Sequence, residues 1–83
     1  MREIKWGKMT LRIGDPIRAI VGRYMYIGIV ADITEYNDLI IEDLKKQSVR
    51  IKMSKASVIQ ILSTEEFTEI KRRYEMDQGG DKK

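Results

Sequence analysis

The sequence predicts a mainly β domain: a small five-stranded antiparallel barrel followed by one C-terminal helix. Two observations predict it. Between residues 15 and 62, short apolar runs alternate with polar residues and are separated by turn signals, with no helix long enough for a parallel crossover. From Ser63 onward the apolar spacing changes to that of an amphipathic helix.

The chain opens with alternation: Ile4 and Trp6, then Met9, Leu11 and Ile13 separated by Lys8, Thr10 and Arg12. This indicates half-buried extended chain, an N-terminal arm over residues 1–14. Gly14-Asp15-Pro16 ends it, because proline fixes its own φ and keeps its predecessor out of the helical region.

The barrel occupies residues 15–62. Residues 17–21 form its first strand, and Gly22-Arg23 a tight connection in which glycine supplies a positive φ. A long strand follows over residues 24–34. Its odd positions (Met25, Ile27, Ile29, Ala31, Ile33) are apolar and are assigned to the core, with Tyr24, Tyr26, Gly28, Asp32 and Thr34 on the other face. Gly28 marks the expected bend or bulge that lets so long a strand serve both halves of a barrel.

Glu35-Tyr36-Asn37-Asp38 is the next turn, followed by a strand at 39–42 and a charged loop at 43–47. Val49, Ile51 and Met53 alternate with Arg50 and Lys52 in a fourth strand. Ser54-Lys55-Ala56-Ser57 reads as a short turn with 3₁₀ character, and residues 58–62 close the set.

Ser63-Thr64-Glu65-Glu66 fits a capping box, in which Ser63 accepts from the amide three residues on and Glu66 reaches back. Phe67, Ile70 and Tyr74 then form one apolar stripe, so residues 63–76 are read as a cap and helix packed on the barrel. Residues 77–83 are expected to be a disordered tail.

At 83 residues the chain is a single domain with a thin margin of stability. It has no cysteine, so neither disulfides nor thiolate-bound metal can staple it. Dense packing or self-association must supply the rest. Histidine is absent too; the lack of histidine removes the commonest general base, and the lack of cysteine the strongest neutral-pH nucleophile. Asp32, Glu35 and Asp38 cluster around one turn but match no calcium loop, and no glycine-rich phosphate cradle is present. The expectation is a binding protein, not an enzyme, with no cofactor and no metal. No run approaches the ~18 apolar residues of a membrane helix, and the start lacks a signal-peptide core; both features fit the cytoplasm.

The net charge is +3, unevenly distributed. Residues 1–62 hold 11 basic against 7 acidic side chains, whereas residues 63–83 hold 5 against 6. The positive excess therefore sits on the barrel, which points to a polyanionic partner.

Three features bear on that partner. Tyr36 beside Asn37 and Asp38 is a loop aromatic next to polar side chains, suited to stack on an unpaired base and read its edge; the other reading is an ordinary turn. Arg50, Lys52 and Lys55, together with Lys45 and Lys46, can neutralise phosphates, or can protect a strand edge from unwanted pairing. Tyr24 and Tyr26 beside Arg23 offer a stacking platform, but packing under the helix against Phe67 or Ile70 is the preferred reading.

The order of parts resembles the Sm-like small barrel over residues 15–62: a strand, a long strand carrying Gly28, then Tyr36-Asn37-Asp38-Leu39-Ile40-Ile41, then a short turn between two final strands. Several positions depart from the family pattern. The family's aspartate falls on Thr34, its asparagine on Asp38, and its hydrophobic-Arg-Gly on Met53-Ser54-Lys55; the helix follows the barrel instead of preceding it. Gly28-Ile29-Val30-Ala31-Asp32-Ile33-Thr34 is also similar to the corresponding strand of the Sm-like subunit of archaeal ribonuclease P, and to SH3-like barrels of ribosomal proteins. The resemblance implies a single-stranded RNA partner within a ribonucleoprotein. Tyr36 would stack on a base, Asn37 or Asp38 would read its edge, and Lys55 would cover it from the opposite turn. It also implies a homo-oligomer ring in which the last two strands pair across subunits. The competing expectation is a protein–protein adapter or assembly subunit that docks through an SH3-like barrel edge and the helix stripe.

Overall fold

The computed structural model describes residues 3–80, with side chains through Asp77. Seven strands form two antiparallel sheets, and one helix ends the described chain. The mainly β class and the C-terminal helix are as the sequence predicts.

The N-terminal segment is a hairpin and not a single extended arm. Strands β1 (Glu3–Trp6) and β2 (Met9–Arg12) pair through Ile4↔Leu11 and Trp6↔Met9, with Gly7 and Lys8 as the turn. An Arg12–Glu3 ion pair of 3.1 Å ties its open end. The alternation holds within each strand, but it continues across a two-residue turn and so reads as one extended run. Ile4 and Leu11 enter the core of the larger sheet, and Trp6 and Met9 pack against it.

The main sheet comprises β3 (Pro16–Val21), β4 (Tyr24–Ile33), β5 (Asp38–Asp43), β6 (Ser48–Lys52) and β7 (Ala56–Ile61), in the order β6-β5-β4-β3-β7. Gly22, at φ +62°, makes the tight β3–β4 turn. A single 3₁₀ turn, Met53–Lys55, joins β6 to β7. Five flat strands would hold β6 and β7 about 19 Å apart, whereas the four steps from Lys52 to Ala56 reach only ~14 Å. The sheet must therefore be strongly coiled.

It does not close into a barrel. Strands β6 and β7 are the two edges and share no ladder among the described residues. The 3₁₀ turn spends the Ala56 amide on the Met53 carbonyl, and β7 then pairs with β3.

The face assignment of β4 is also corrected. Gly28 and Val30 are buried and Tyr26 packs against the core, whereas Met25 is exposed and Ile27 and Ile29 are half-buried on the outer face. A bulge at Ala31, between the pairs Val30↔Ile41 and Asp32↔Ile40, resets the alternation so that Ile33 again points inward. Because β4 has apolar residues on both faces, its pattern does not say which face is the core. The expected irregularity thus lies at Ala31. Gly28 instead makes room for β5, since a Cβ there would sit 2.8 Å from the Glu42 carbonyl carbon and 2.9 Å from Asp43 Cα.

The inner face gathers Ile17, Ala19, Val30, Ile33, Leu39, Ile41, Ile51 and Ile59, all buried. The helix α1 (Thr64–Gly80), whose Phe67, Ile70 and Tyr74 are half-buried, lies against β3 and shares clefts with Ile27 and Ile29 on the outer face of β4. The capping box forms as expected. Glu66 N donates to Ser63 Oγ and Ser63 N donates to Glu66 Oε1, each at 3.0 Å. The helix continues to Gly80 instead of ending at 76, since no proline or capping residue stops it at Asp77; the remainder of the expected tail lies outside the described residues. No helix among the described residues is long and apolar enough to cross a membrane.

Candidate functional site

The turn that carries Tyr36 is held by Thr34. Its hydroxyl oxygen accepts from Tyr36 N at 3.2 Å and from Asp38 N at 3.0 Å. Its carbonyl accepts from Asn37 N, and its own amide donates to the Asp38 carbonyl. Asn37 takes φ +63°, a left-handed conformation that asparagine tolerates better than most residues. The turn is thus closed on itself, and the Tyr36 ring stands out at its tip, 77% exposed.

The register Asp38↔Lys52 and Ile40↔Arg50 brings this turn beside the end of β6. Arg50 and Lys52 lie on the outer face, on the same side as Asp38. Arg50 binds Asp38 Oδ2 through Nη2 at 2.9 Å and Nε at 3.0 Å. Asp38 is therefore chiefly an anchor for the guanidinium, which narrows its expected part in reading a base edge. Lys52 and, in the following 3₁₀ turn, Lys55 are exposed and make no ion pair among the described residues. Tyr36, Asn37, Asp38, Arg50, Lys52 and Lys55 thus share one end of the sheet.

Lys45 and Lys46 do not. They sit in the β5–β6 loop, at the other end of β5, about 17 Å from the Tyr36 turn by strand rise. There they border clefts between the sheet and α1. One, of about 180 Å³, is lined by Tyr26, Ile27, Leu44, Lys45 and Tyr74 among others. A smaller neighbour takes in Ile29, Lys46, Phe67 and Lys71.

Tyr24 and Tyr26 do not pack beneath Phe67 or Ile70 as expected. They stack on each other, with ring centroids 6.3 Å apart and planes 30° from parallel, and Tyr24 is 67% exposed. It is Ile29 that shares a cleft with Phe67, because the outer face of β4 is its odd-numbered one. Thr34, the organiser of the Tyr36 turn, is not singled out by the sequence pattern. Its signal is a hydroxyl residue two before the tip and four before the next strand's first residue. Of the acidic trio, Asp32 accepts from Ile33 N and Asp38 holds Arg50, and among the described residues no three such groups converge on one point.

No family model matches the chain, and no solved structure matches it. It is 33% identical over 66 residues to Uncharacterized protein 8 of Sulfolobus islandicus filamentous virus (isolate Iceland/Hveragerdi), a stretch covering 80% of this chain and 84% of the viral one. At that identity and coverage, the chain belongs to the same family as Uncharacterized protein 8 of Sulfolobus islandicus filamentous virus.

Proposed function

We propose that the protein binds single-stranded RNA in the cytoplasm, as an Sm-like component of a ribonucleoprotein built on an open, coiled sheet, and that it is not an enzyme. The observation that carries this reading is the exposed Tyr36 ring on a turn closed by four hydrogen bonds, with Arg50, Lys52 and Lys55 at the same end of the sheet. A turn already ordered loses little entropy when a base stacks on its ring, and such stacking contributes about 1–3 kcal/mol per base. Asn37 offers an amide to the base edge, while the cations neutralise phosphates. Asp38 keeps Arg50 aimed across the outer face.

A second reading rests on the two open edges. Among the described residues, strands β6 and β7 each present an unpaired side, and on β7 Val58 and Ile61 are exposed. An added strand from another copy, giving a homo-oligomer, or from a partner protein would cover them.

Filter binding of U-rich and A-rich oligonucleotides across a salt series tests the first reading. Affinity that weakens as salt rises, and that drops in Tyr36→Ala, is expected. Absence of salt-dependent binding at about 10 µM protein would overturn it. Light scattering of the purified protein with and without ribonuclease tests the self-pairing form of the second, which requires an oligomer that survives the nuclease.

A further inference from the structure

We infer that the opposite end of the sheet is a second, separate contact site for single-stranded nucleic acid, built on Tyr24 with Arg23 and Lys45. The inference takes its ligand class from the function proposed above but rests on different residues. Tyr24 and Tyr26 share one face of β4, and Tyr26 packs on the core, so its ring is a fixed floor on which Tyr24 lies. Tyr24 turns its other side to solvent at 67% exposure, next to an exposed Arg23 at the hairpin tip. A solvent-facing aromatic held by a stacked neighbour is a ready surface for a base, with little side-chain freedom left to lose.

The charge around it suits phosphate. The pair Gly28↔Asp43 places the β5–β6 loop toward the same end of β4, and Lys45 and Tyr26 wall the same cleft. Arg23, Lys45, Lys46 and Lys71 make no ion pair among the described residues. Of the acids that line the two clefts, Glu42 and Asp43, the latter's Oδ1 is already committed to the amides of Lys45 and Gln47. The cleft, at about 180 Å³, is smaller than the ~300–1,000 Å³ of pockets for whole small molecules, so it is not a cofactor site.

The two ends differ in one useful respect. The Tyr36 ring stands alone on a turn, whereas Tyr24 belongs to a stacked pair on a strand. A short oligonucleotide can occupy either, and only a long one can occupy both.

The test uses the full chain with oligouridylates of about 4 and about 16 nucleotides, the span of single-domain site sizes for single strands. Tyr24→Ala is expected to weaken the longer ligand by about five- to hundredfold, Tyr24→Phe to restore it, and Lys45→Ala to lower the salt slope by about 1. Amide shifts in the 23–26 and 43–47 segments should move on titration independently of those at 34–38. Unchanged affinity in Tyr24→Ala overturns the inference. If Tyr36→Ala alone abolishes binding, the Tyr36 site stands and this site falls; if Tyr24→Ala alone does so, RNA binding and this site stand and the Tyr36 site falls. Lost self-association in Tyr24→Ala with unchanged RNA affinity would mark a protein contact instead and also overturn it. Should neither oligonucleotide bind the wild-type chain, both readings fail together.

Discussion

Thr34 and Asp43 stand at the two junctions of β5 and do the same work. The side-chain oxygen of each accepts from the amides two and four residues on: Tyr36 and Asp38 for Thr34, Lys45 and Gln47 for Asp43. The carbonyl of each accepts from the amide three residues on, and the amide of each donates to the carbonyl of the fifth residue. In both turns the fourth residue, Asn37 or Lys46, lies at φ +63°. A hydroxyl and a carboxylate thus specify one loop geometry, because either offers an oxygen at the reach this turn needs.

It follows that Thr34→Val should lose about 1–3 kcal/mol, two hydrogen bonds' worth, while Thr34→Asp should retain most of it. Lysine tolerates the left-handed region less well than asparagine, so Lys46→Gly should gain up to about 1 kcal/mol. Urea denaturation midpoints at constant slope measure all three. A Thr34→Val variant as stable as wild type would mean that the backbone bonds alone hold the turn.

Gly28 is required by the approach of β5, since any side chain would run into the backbone of Glu42 and Asp43. Gly28→Ala should cost about 1–3 kcal/mol or more, as overpacking against backbone does. In a domain of this size each kcal/mol lowers the melting temperature by about 4–8 °C. Thermal unfolding followed by circular dichroism reads it, and amide shifts at residues 42 and 43 should report the displacement.

Much of the main sheet was legible because glycine, proline, asparagine and aspartate punctuate it. The five strands and the 3₁₀ turn lie within about two residues of where turn chemistry puts them. The Ser63–Glu66 box was legible for the same local reason. What escaped depends on partners distant in sequence. Which side of β4 is interior could not be read from a strand that is apolar on both sides. Closure could not be read either, since the sequence does not say whether β6 pairs with β7 or leaves an edge. The Arg50–Asp38 ion pair needs the β5–β6 register. At the candidate site, the sequence joined Lys55 to the Tyr36 turn only through the Sm-like resemblance, and it is the β5–β6 register that sets Arg50 and Lys52 beside them. Adding Lys45 and Lys46 ignored the six-residue length of β5, which sends its two loops to opposite ends.

The hairpin is part of the core, not an appendage, and this separates two expectations for Leu11. On a loose arm, Leu11→Ala would be silent. Fully buried as it is, it should cost about 2–5 kcal/mol, enough to unfold a large share of so small a domain. Ile13, which is exposed, serves as the control, with Ile13→Ala expected to change stability by no more than about 0.5 kcal/mol. Chemical denaturation of the two variants side by side decides it.

Stability should fall on acidification through the helix start. Glu66 accepts from the Ser63 amide and hydroxyl, which holds its carboxyl below the ordinary value of 4.5; Glu69 is lowered by Arg72 and Arg73 in the same way. A carboxyl with a lowered folded pKa adds stability that is fully present above its unfolded value and disappears as pH falls through the folded one. Glu66→Gln keeps an oxygen for the Ser63 amide but cannot ionise, and it removes a negative charge from the positive end of the helix dipole. Wild type should therefore melt above Glu66→Gln at pH 7, and the difference should shrink as pH drops below about 4.5. Melting curves of both proteins from pH 7 to pH 3 provide the comparison. A gap that stays constant over that range would assign the effect of Glu66 to hydrogen bonding and not to its charge.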